Sequence, residues 1–188
     1  MTDRTDTVVA DTRRWLERAV IGLNLCPFAK SVHVKGQVHY AVSAATDGPA
    51  LREDLLRELR DLAAIDPEVR DTTLLVAPDA FPDFLATADR ALAELDLEGI
   101  LQIAPFHPRF VFAGTRDDDI TNATNRAPYP TLHLIRETSI DRAVQAFPEA
   151  EAIFEVNMAT MEKLGPEGWA ALDVGATLDA GDCGKLKP

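Results

Sequence analysis

A thiol and two imidazoles occur in short segments of this chain that are also rich in proline and arginine. Cys26 precedes Pro27, His107 precedes Pro108, and His133 belongs to a longer segment over 124–137. A thiolate beside an imidazole can act as a nucleophile with its general base. One thiolate and two imidazoles, Cys26, His107 and His133, can instead hold a Zn or Fe ion with an open coordination position. The residue types leave both mechanisms open.

Cys26 follows the end of the first predicted helix, and Pro27 suits the first position of a new helical turn. The positive end of that turn and the nearby Lys30 would both lower the pKa of the thiol. Cys26 is therefore predicted as a catalytic residue. The alternative is that this lone cysteine is a small buried apolar side chain.

His107 and Glu137 complete the predicted catalytic set. Pro108 restricts the backbone of His107 to extended conformations and so fixes the direction of its ring. His107 is predicted as a general base or a metal ligand. Strand alternation places His133 and Glu137 on one face, where Glu137 would orient a neighbour. A polar His133 on an apolar strand needs a hydrogen-bond partner or a metal.

Two arginines and an asparagine are predicted to bind the substrate. Asn125 and Arg126 lie in a loop just before two prolines, and Arg136 ends the last predicted strand. A guanidinium group binds carboxylate or phosphate through paired hydrogen bonds, so the expected partner is a small anionic molecule. The alternative is that the asparagine shapes a turn and the arginines pair with the abundant acidic residues.

Apolar periodicity predicts the elements that position these residues. Helices are expected over 8–23, 51–62, 81–95 (with Asp79 as N-cap), 140–147 and 153–164, and strands over 38–44, 72–77, 100–104 and 131–136, with a brief strand over 110–113. The alternation predicts an α/β fold, with α+β as the alternative, and a mostly parallel or mixed sheet of about four strands with helices packed on it. Residues 1–172 are expected to form one domain and 173–188 a flexible tail.

The predicted topology favours a site near His107. Ligands of such sheets bind beyond the carboxyl ends of the strands, and His107 directly follows one. The loop over 105–130 is long for a compact domain, which is typical of functional loops.

Composition excludes several classes of function. The 188 residues carry a formal net charge of −12, which disfavours nucleic-acid and anionic membrane partners. Cys26 and Cys183 form no C-x-x-C pair, which argues against a zinc ribbon or a redox dithiol and favours a reducing compartment. The N-terminal residues lack the pattern of a signal peptide, so a cytoplasmic location is expected.

Several longer motifs distinguish the chain from a generic α/β domain. They cover 15–36, 71–75, 102–108, 112–115 and 124–137. Together they resemble domain-of-unknown-function family 1415 over nearly the whole chain, to about Leu172. The resemblance implies one intact domain and no particular activity. The residues that match the family's motifs are Cys26, His33, His107, Asn125, Arg126, His133, Arg136 and Glu137.

These observations favour a small-molecule enzyme that acts on an anionic substrate by thiol or metal-assisted chemistry. The alternative is a non-catalytic protein that binds a small ligand or a partner and whose polar cluster is structural. An open cleft beside His107 would favour the enzyme, and a filled one would favour the alternative.

Overall fold

The computed structural model describes residues 3–79, 84–146 and 152–178. The helices are α1 (Arg4–Trp15), α2 (Ala29–Val34), α3 (Gly48–Ala64), α4 (Phe84–Glu94), α5 (Glu137–Ala146) and α6 (Ile153–Ala171). The strands are β1 (Val38–Val42), β2 (Thr72–Val76), β3 (Leu101–Phe106) and β4 (Thr131–Arg136). A π-helical segment, Leu16–Ile21, continues α1, and a 3-10 helix, Ile120–Asn125, precedes β4.

The strands form one mixed sheet in the order β1-β2-β4-β3. β1 and β2 are parallel, and β4 runs antiparallel to both β2 and β3. β3 therefore runs in the same direction as β1 and β2. β4 lies between β2 and β3 and runs in the opposite direction. The predicted α/β class and the sheet of about four strands are confirmed, and the sheet is of the mixed kind.

One face of the sheet packs against α3 and α4. Apolar side chains at helical spacing on α3 meet Leu75, Leu132 and Leu134 from the centre of the sheet. The sequence specifies where α3 begins, because Asp47 accepts a 2.8 Å hydrogen bond from the Ala50 amide and a proline occupies the first turn. These side chains form an apolar core on this face of the sheet.

The opposite face packs against α1 and the π-helical segment. Val8, Trp15, Leu16, Ala19 and Val20 are buried in one cluster with side chains of β2. The π-helical turns are shown by a 3.0 Å bond from the Gly22 amide to the Glu17 carbonyl, five residues back. A period-3.6 pattern does not distinguish a π segment from an α-helix, so the sequence predicts one continuous helix here.

Two predicted elements differ from the structure, and the predicted N-cap Asp79 lies next to residues outside the described ranges. Residues 110–113 form no strand, because this backbone is held by loop side chains described below. The last helix is predicted to stop at Gly165, but helical structure resumes after a kink at this residue, which has φ 68°. Asp79 pairs with Arg4 at 2.6 Å, and residues 80–83, between Asp79 and α4, lie outside the described residues.

The packed part of the chain extends beyond the predicted boundary at Leu172. Val174 is buried against α1, and the Thr177 amide and hydroxyl donate to the Asp11 carboxylate at 2.7 and 2.6 Å. The Tyr129 hydroxyl donates to the same carboxylate at 2.7 Å. Residues 173–178 are therefore anchored on the domain, and residues 179–188 lie outside the described part of the chain. No helix in the described ranges is long and apolar enough to cross a membrane.

Candidate functional site

A pocket of about 490 Å³ lies on the sheet face that carries α1, and we call it the His133 pocket. All four strands contribute to its floor, and α5 forms one wall. The opposite wall comes from α1, the π-helical segment and α2. Most of the side chains that line it are apolar, among them Trp15, Val38, Leu74, Phe106 and Ile135. Its volume lies in the usual range for small-molecule sites.

The polarity of the His133 pocket changes along its length. Lys35, Glu68, Asp71 and Arg142 line the end where β1 and β2 begin and β4 ends, and we call this the polar end. At the other end the rings of Trp15 and Phe106 meet edge-to-face with centroids 5.2 Å apart. A ligand that fills the pocket would therefore contact charged groups at one end and aromatic rings at the other.

His133 lies between these ends, on the floor. Its register partners are Leu74 on β2 and Ala104 on β3, both of which also line the pocket. The predicted alternation of β4 is confirmed, since Ile135 faces the pocket with His133 while Leu132 and Leu134 belong to the core on the other face. Burial lowers the pKa of His133 to about 4, so the ring is neutral at pH 7.

Thr72 determines the tautomer of this ring. The Thr72 hydroxyl donates to the Leu134 carbonyl at 2.6 Å, and its oxygen lies 2.7 Å from Nε2 of His133. A hydroxyl has one hydrogen, which goes to the carbonyl, so Nε2 carries a proton and donates to Thr72. Nδ1 of His133 then holds a lone pair, and no hydrogen bond to it comes from the described residues.

Cys26 also lines the His133 pocket, but its thiol is not activated. Burial raises its pKa, and the Phe28 and Ala29 amides, which lower it, do not compensate. The predicted effect of Lys30 is absent, since that exposed side chain does not contribute to the shift. The expectation of a lowered pKa was therefore wrong, and Cys26 is a protonated thiol at neutral pH.

The wall that holds Cys26 depends on Gly22. A Cβ atom at this position would lie 2.2 Å from the Arg18 carbonyl oxygen, far inside van der Waals contact. The next turn is closed by a 2.9 Å bond from the Leu25 amide to the Val20 carbonyl, with Asn24 at φ 55°. The π-helical exit thus sets the path of the chain from Val20 to Cys26.

His107 does not line the pocket, although Phe106 beside it does. Its side chain is 3% exposed, and Nδ1 accepts a 3.1 Å bond from the Arg109 amide. Burial and the charge of Arg109 lower the pKa of His107 to about 4. The Arg109 amide thus holds one nitrogen of the ring toward the loop that follows β3.

Asn122 and Arg126 hold the loop after His107. Oδ1 of Asn122 accepts from the Phe112 amide at 2.9 Å and from the Thr115 hydroxyl at 2.8 Å, while its Nδ2 donates to the Arg116 carbonyl. Arg126 donates to the carbonyls of Phe110 and Asp117. The loop is therefore a packed structure closed by its own side chains.

The other two predicted substrate residues, Asn125 and Arg136, do not line the pocket. The Asn125 carbonyl accepts from the His107 amide at 3.2 Å. Arg136 faces away from the pocket and donates to the carbonyls of Leu62, Ile65 and Arg70. It thereby satisfies carbonyls at the C-terminal end of α3.

Glu137 is the first residue of α5, at the opposite end of β4 from the strand terminus where His107 lies. The predicted catalytic set of Cys26, His107 and Glu137 is thus distributed over separate parts of the fold.

The predicted metal ligands are not brought together. Cys26 and His133 line one pocket while His107 lies in the loop. Across the described ranges, no group of three or more His, Cys, Asp or Glu side chains is placed to hold a metal ion. The donor set needed for zinc or iron chemistry is therefore not assembled in this part of the chain.

The family described as Protein of unknown function (DUF1415) matches residues 7–171. The chain belongs to this family. The resemblance seen in the sequence motifs is confirmed. Neither a curated protein nor a solved structure matches the chain.

Sequence reasoning found His133 and Cys26 but missed the other residues of the pocket. Thr72 was predicted only as the first residue of a buried strand, and Trp15 only as part of a helical apolar stripe. Long-range strand pairing decides which apolar side chains face a pocket and which face a filled core. Period-2 alternation gives the shared face within a strand but not the neighbouring strand.

Proposed function

We propose that this protein binds a small, largely apolar molecule in the His133 pocket without covalent chemistry. The observation that carries the proposal is the pocket itself, about 490 Å³ lined mainly by apolar side chains around one neutral histidine. Apolar walls with a few fixed polar groups are typical of small-molecule sites. The ligand's apolar area provides the affinity and His133 provides the orientation.

The geometry supports a binding role over thiol or metal chemistry. Cys26 has a raised pKa, so little thiolate is available as a nucleophile at neutral pH. His107, the predicted base, is buried in its own loop and does not line the pocket. The proposal therefore takes up the alternative in which the polar loop cluster is structural.

The charge of the ligand follows from the polar end. The arginines predicted to bind an anion, Arg126 and Arg136, both donate to backbone carbonyls. At the polar end, Lys35 and Arg142 are balanced by Glu68 and Asp71. Arg142 already lies 3.4 Å from the Asp71 carboxylate. A ligand in this proposal is apolar along most of its length and needs no net charge.

The proposal keeps the cytoplasmic location favoured by the two isolated cysteines.

Filling the pocket tests the proposal. Ala104 lies on the floor beside His133, so Ala104→Phe would occupy the space that a ligand needs. Ala143→Phe would fill it from α5. Ala63→Phe, on an exposed position of α3, is the matched control.

Naphthalene-sized and biphenyl-sized fragments are titrated into each protein and followed by two-dimensional NMR. The proposal expects binding by the wild type and the control, and at least about tenfold weaker binding by both filling variants. Fragments that fail to bind the wild type, or that bind all four proteins equally, would contradict it.

A further inference from the structure

The hydrogen bonds around Thr72 specify more about the ligand than the shape of the pocket does. Thr72 faces the pocket from β2, where it pairs with Ile135 and lies diagonally across from His133. Its hydroxyl has two neighbours, the Leu134 carbonyl at 2.6 Å and Nε2 of His133 at 2.7 Å. Side chains placed diagonally on adjacent strands are close enough for this contact.

Only one arrangement of hydrogens satisfies both contacts. The Leu134 carbonyl is an acceptor, so the Thr72 hydroxyl must donate to it. The hydroxyl oxygen can then accept from His133 Nε2–H but cannot also donate to it. The opposite tautomer would place two lone pairs 2.7 Å apart. Because the carbonyl belongs to the backbone, the fold itself sets the direction of this chain of hydrogen bonds.

We propose that the Thr72–His133 pair selects ligands that carry a hydroxyl or N–H donor, because it leaves Nδ1 of His133 as an acceptor. This inference rests on the proposed function and adds the chemical class of the ligand. The floor around the His133 ring is apolar, with Leu74, Ala104 and Phe106 nearby. An acceptor in such surroundings discriminates strongly, since a ligand that lacks a donor leaves it unpaired. Thr72 is a positioning residue in this scheme, and His133 makes the contact.

The test uses two probes of the same shape. 2-Naphthol carries a hydroxyl donor, and 2-methoxynaphthalene carries an ether oxygen that can only accept. Both are titrated into the full chain and followed by NMR. The wild type is expected to bind 2-naphthol about fivefold to tenfold more tightly, the effect of one hydrogen bond to a buried group.

Variants separate the two residues. His133→Phe should bind both probes with less than about twofold difference, because the acceptor is lost while the apolar surface is retained. Thr72→Val should reduce the preference, since Nε2 loses its fixed partner, and Thr72→Ser should restore it. ¹⁵N spectra of the His133 ring in the wild type report the tautomer directly, and the expected result is a proton on Nε2. The ¹⁵N measurement is made on the wild type without a ligand, so it does not depend on whether the variants fold.

The outcomes distinguish the two proposals. Equal binding of the probes by the wild type, or a proton on Nδ1, would overturn the inference and leave the binding function in place. Failure of both probes to bind would overturn the inference and the proposed function together. A preference for 2-naphthol that is lost in His133→Phe, with the proton on Nε2, would establish the inference.

Discussion

The loop over 107–130 and the His133 pocket each contain a histidine whose pKa is lowered to about 4 by burial, yet they treat their polar groups in opposite ways. In the loop, Asn122 and Arg126 bind backbone groups of the same loop. In the pocket, Thr72 binds one nitrogen of His133, and the other nitrogen has no hydrogen-bond partner among the described residues. The density of polar residues is therefore a poor guide to the site. A polar group without an internal partner beside an apolar pocket is a better one.

The largest effect expected of a single substitution is the loss of the loop's central side chain. Asn122 is fully buried and makes three hydrogen bonds, so Asn122→Ala should lower the free energy of unfolding by about 3 kcal/mol. Urea denaturation measures this change. Asn125→Ala is the matched control and should cost less than about 0.5 kcal/mol.

Binding distinguishes a structural loop from a catalytic one. Folded Asn122→Ala should still bind 2-naphthol, because the residue does not line the His133 pocket. If Asn122→Ala kept the stability of the wild type but no longer bound 2-naphthol, the loop would belong to the binding site.

The wall of the pocket can be tested at Gly22. Gly22→Ala should lower the free energy of unfolding by about 2 kcal/mol, because the new Cβ would displace the π-helical turn from the Arg18 carbonyl. Probe affinity should fall as well, since this turn sets the path to Cys26. Gly48→Ala has open space around the added atom and should be neutral or slightly stabilising. Equal changes in the free energy of unfolding for the two variants would show that the π-helical turn accommodates a Cβ atom at Gly22 without cost.

Stability should also depend on pH through His107 and His133. Their folded pKa of about 4 lies below the ordinary value of 6.5, so between these values the unfolded state binds more protons. Stability is therefore lost as pH falls from 6.5 to about 4, by up to about 1.4 kcal/mol per pH unit for each histidine. Urea titrations of the wild type, His107→Gln and His133→Gln at several pH values measure the slope. A slope that neither substitution reduces would contradict the burial of these rings.

The smallest effect is expected at Cys26. On a Cys183→Ser background, iodoacetamide should alkylate Cys26 at pH 7.5 no faster than it alkylates the urea-unfolded chain, because burial raises the pKa of the thiol. Cys26→Ala should change the affinity for 2-naphthol by less than about threefold. Alkylation several times faster than in the unfolded chain would instead restore the thiol mechanism.

Much of the fold is predictable from local patterns, and the site is predictable only in part. Alternation over 131–136 gives the correct faces of β4, and helical spacing gives the position of α3. Thr72 and His133 meet only because β4 is inserted beside β2, a pairing of residues 61 positions apart that no local pattern encodes. The partners of Arg136 are not predictable for a related reason, since the carbonyls that it binds at the end of α3 are brought to it by the tertiary fold.

The most direct test of the central claim is to map 2-naphthol on the protein by NMR, with the side chains of Trp15, His133 and His107 assigned. We expect the signals of the Trp15 indole and the His133 ring nitrogens to shift on binding, and those of the His107 ring to stay unchanged. Shifts at His107 with none at Trp15 and His133 would contradict it and place the site in the loop.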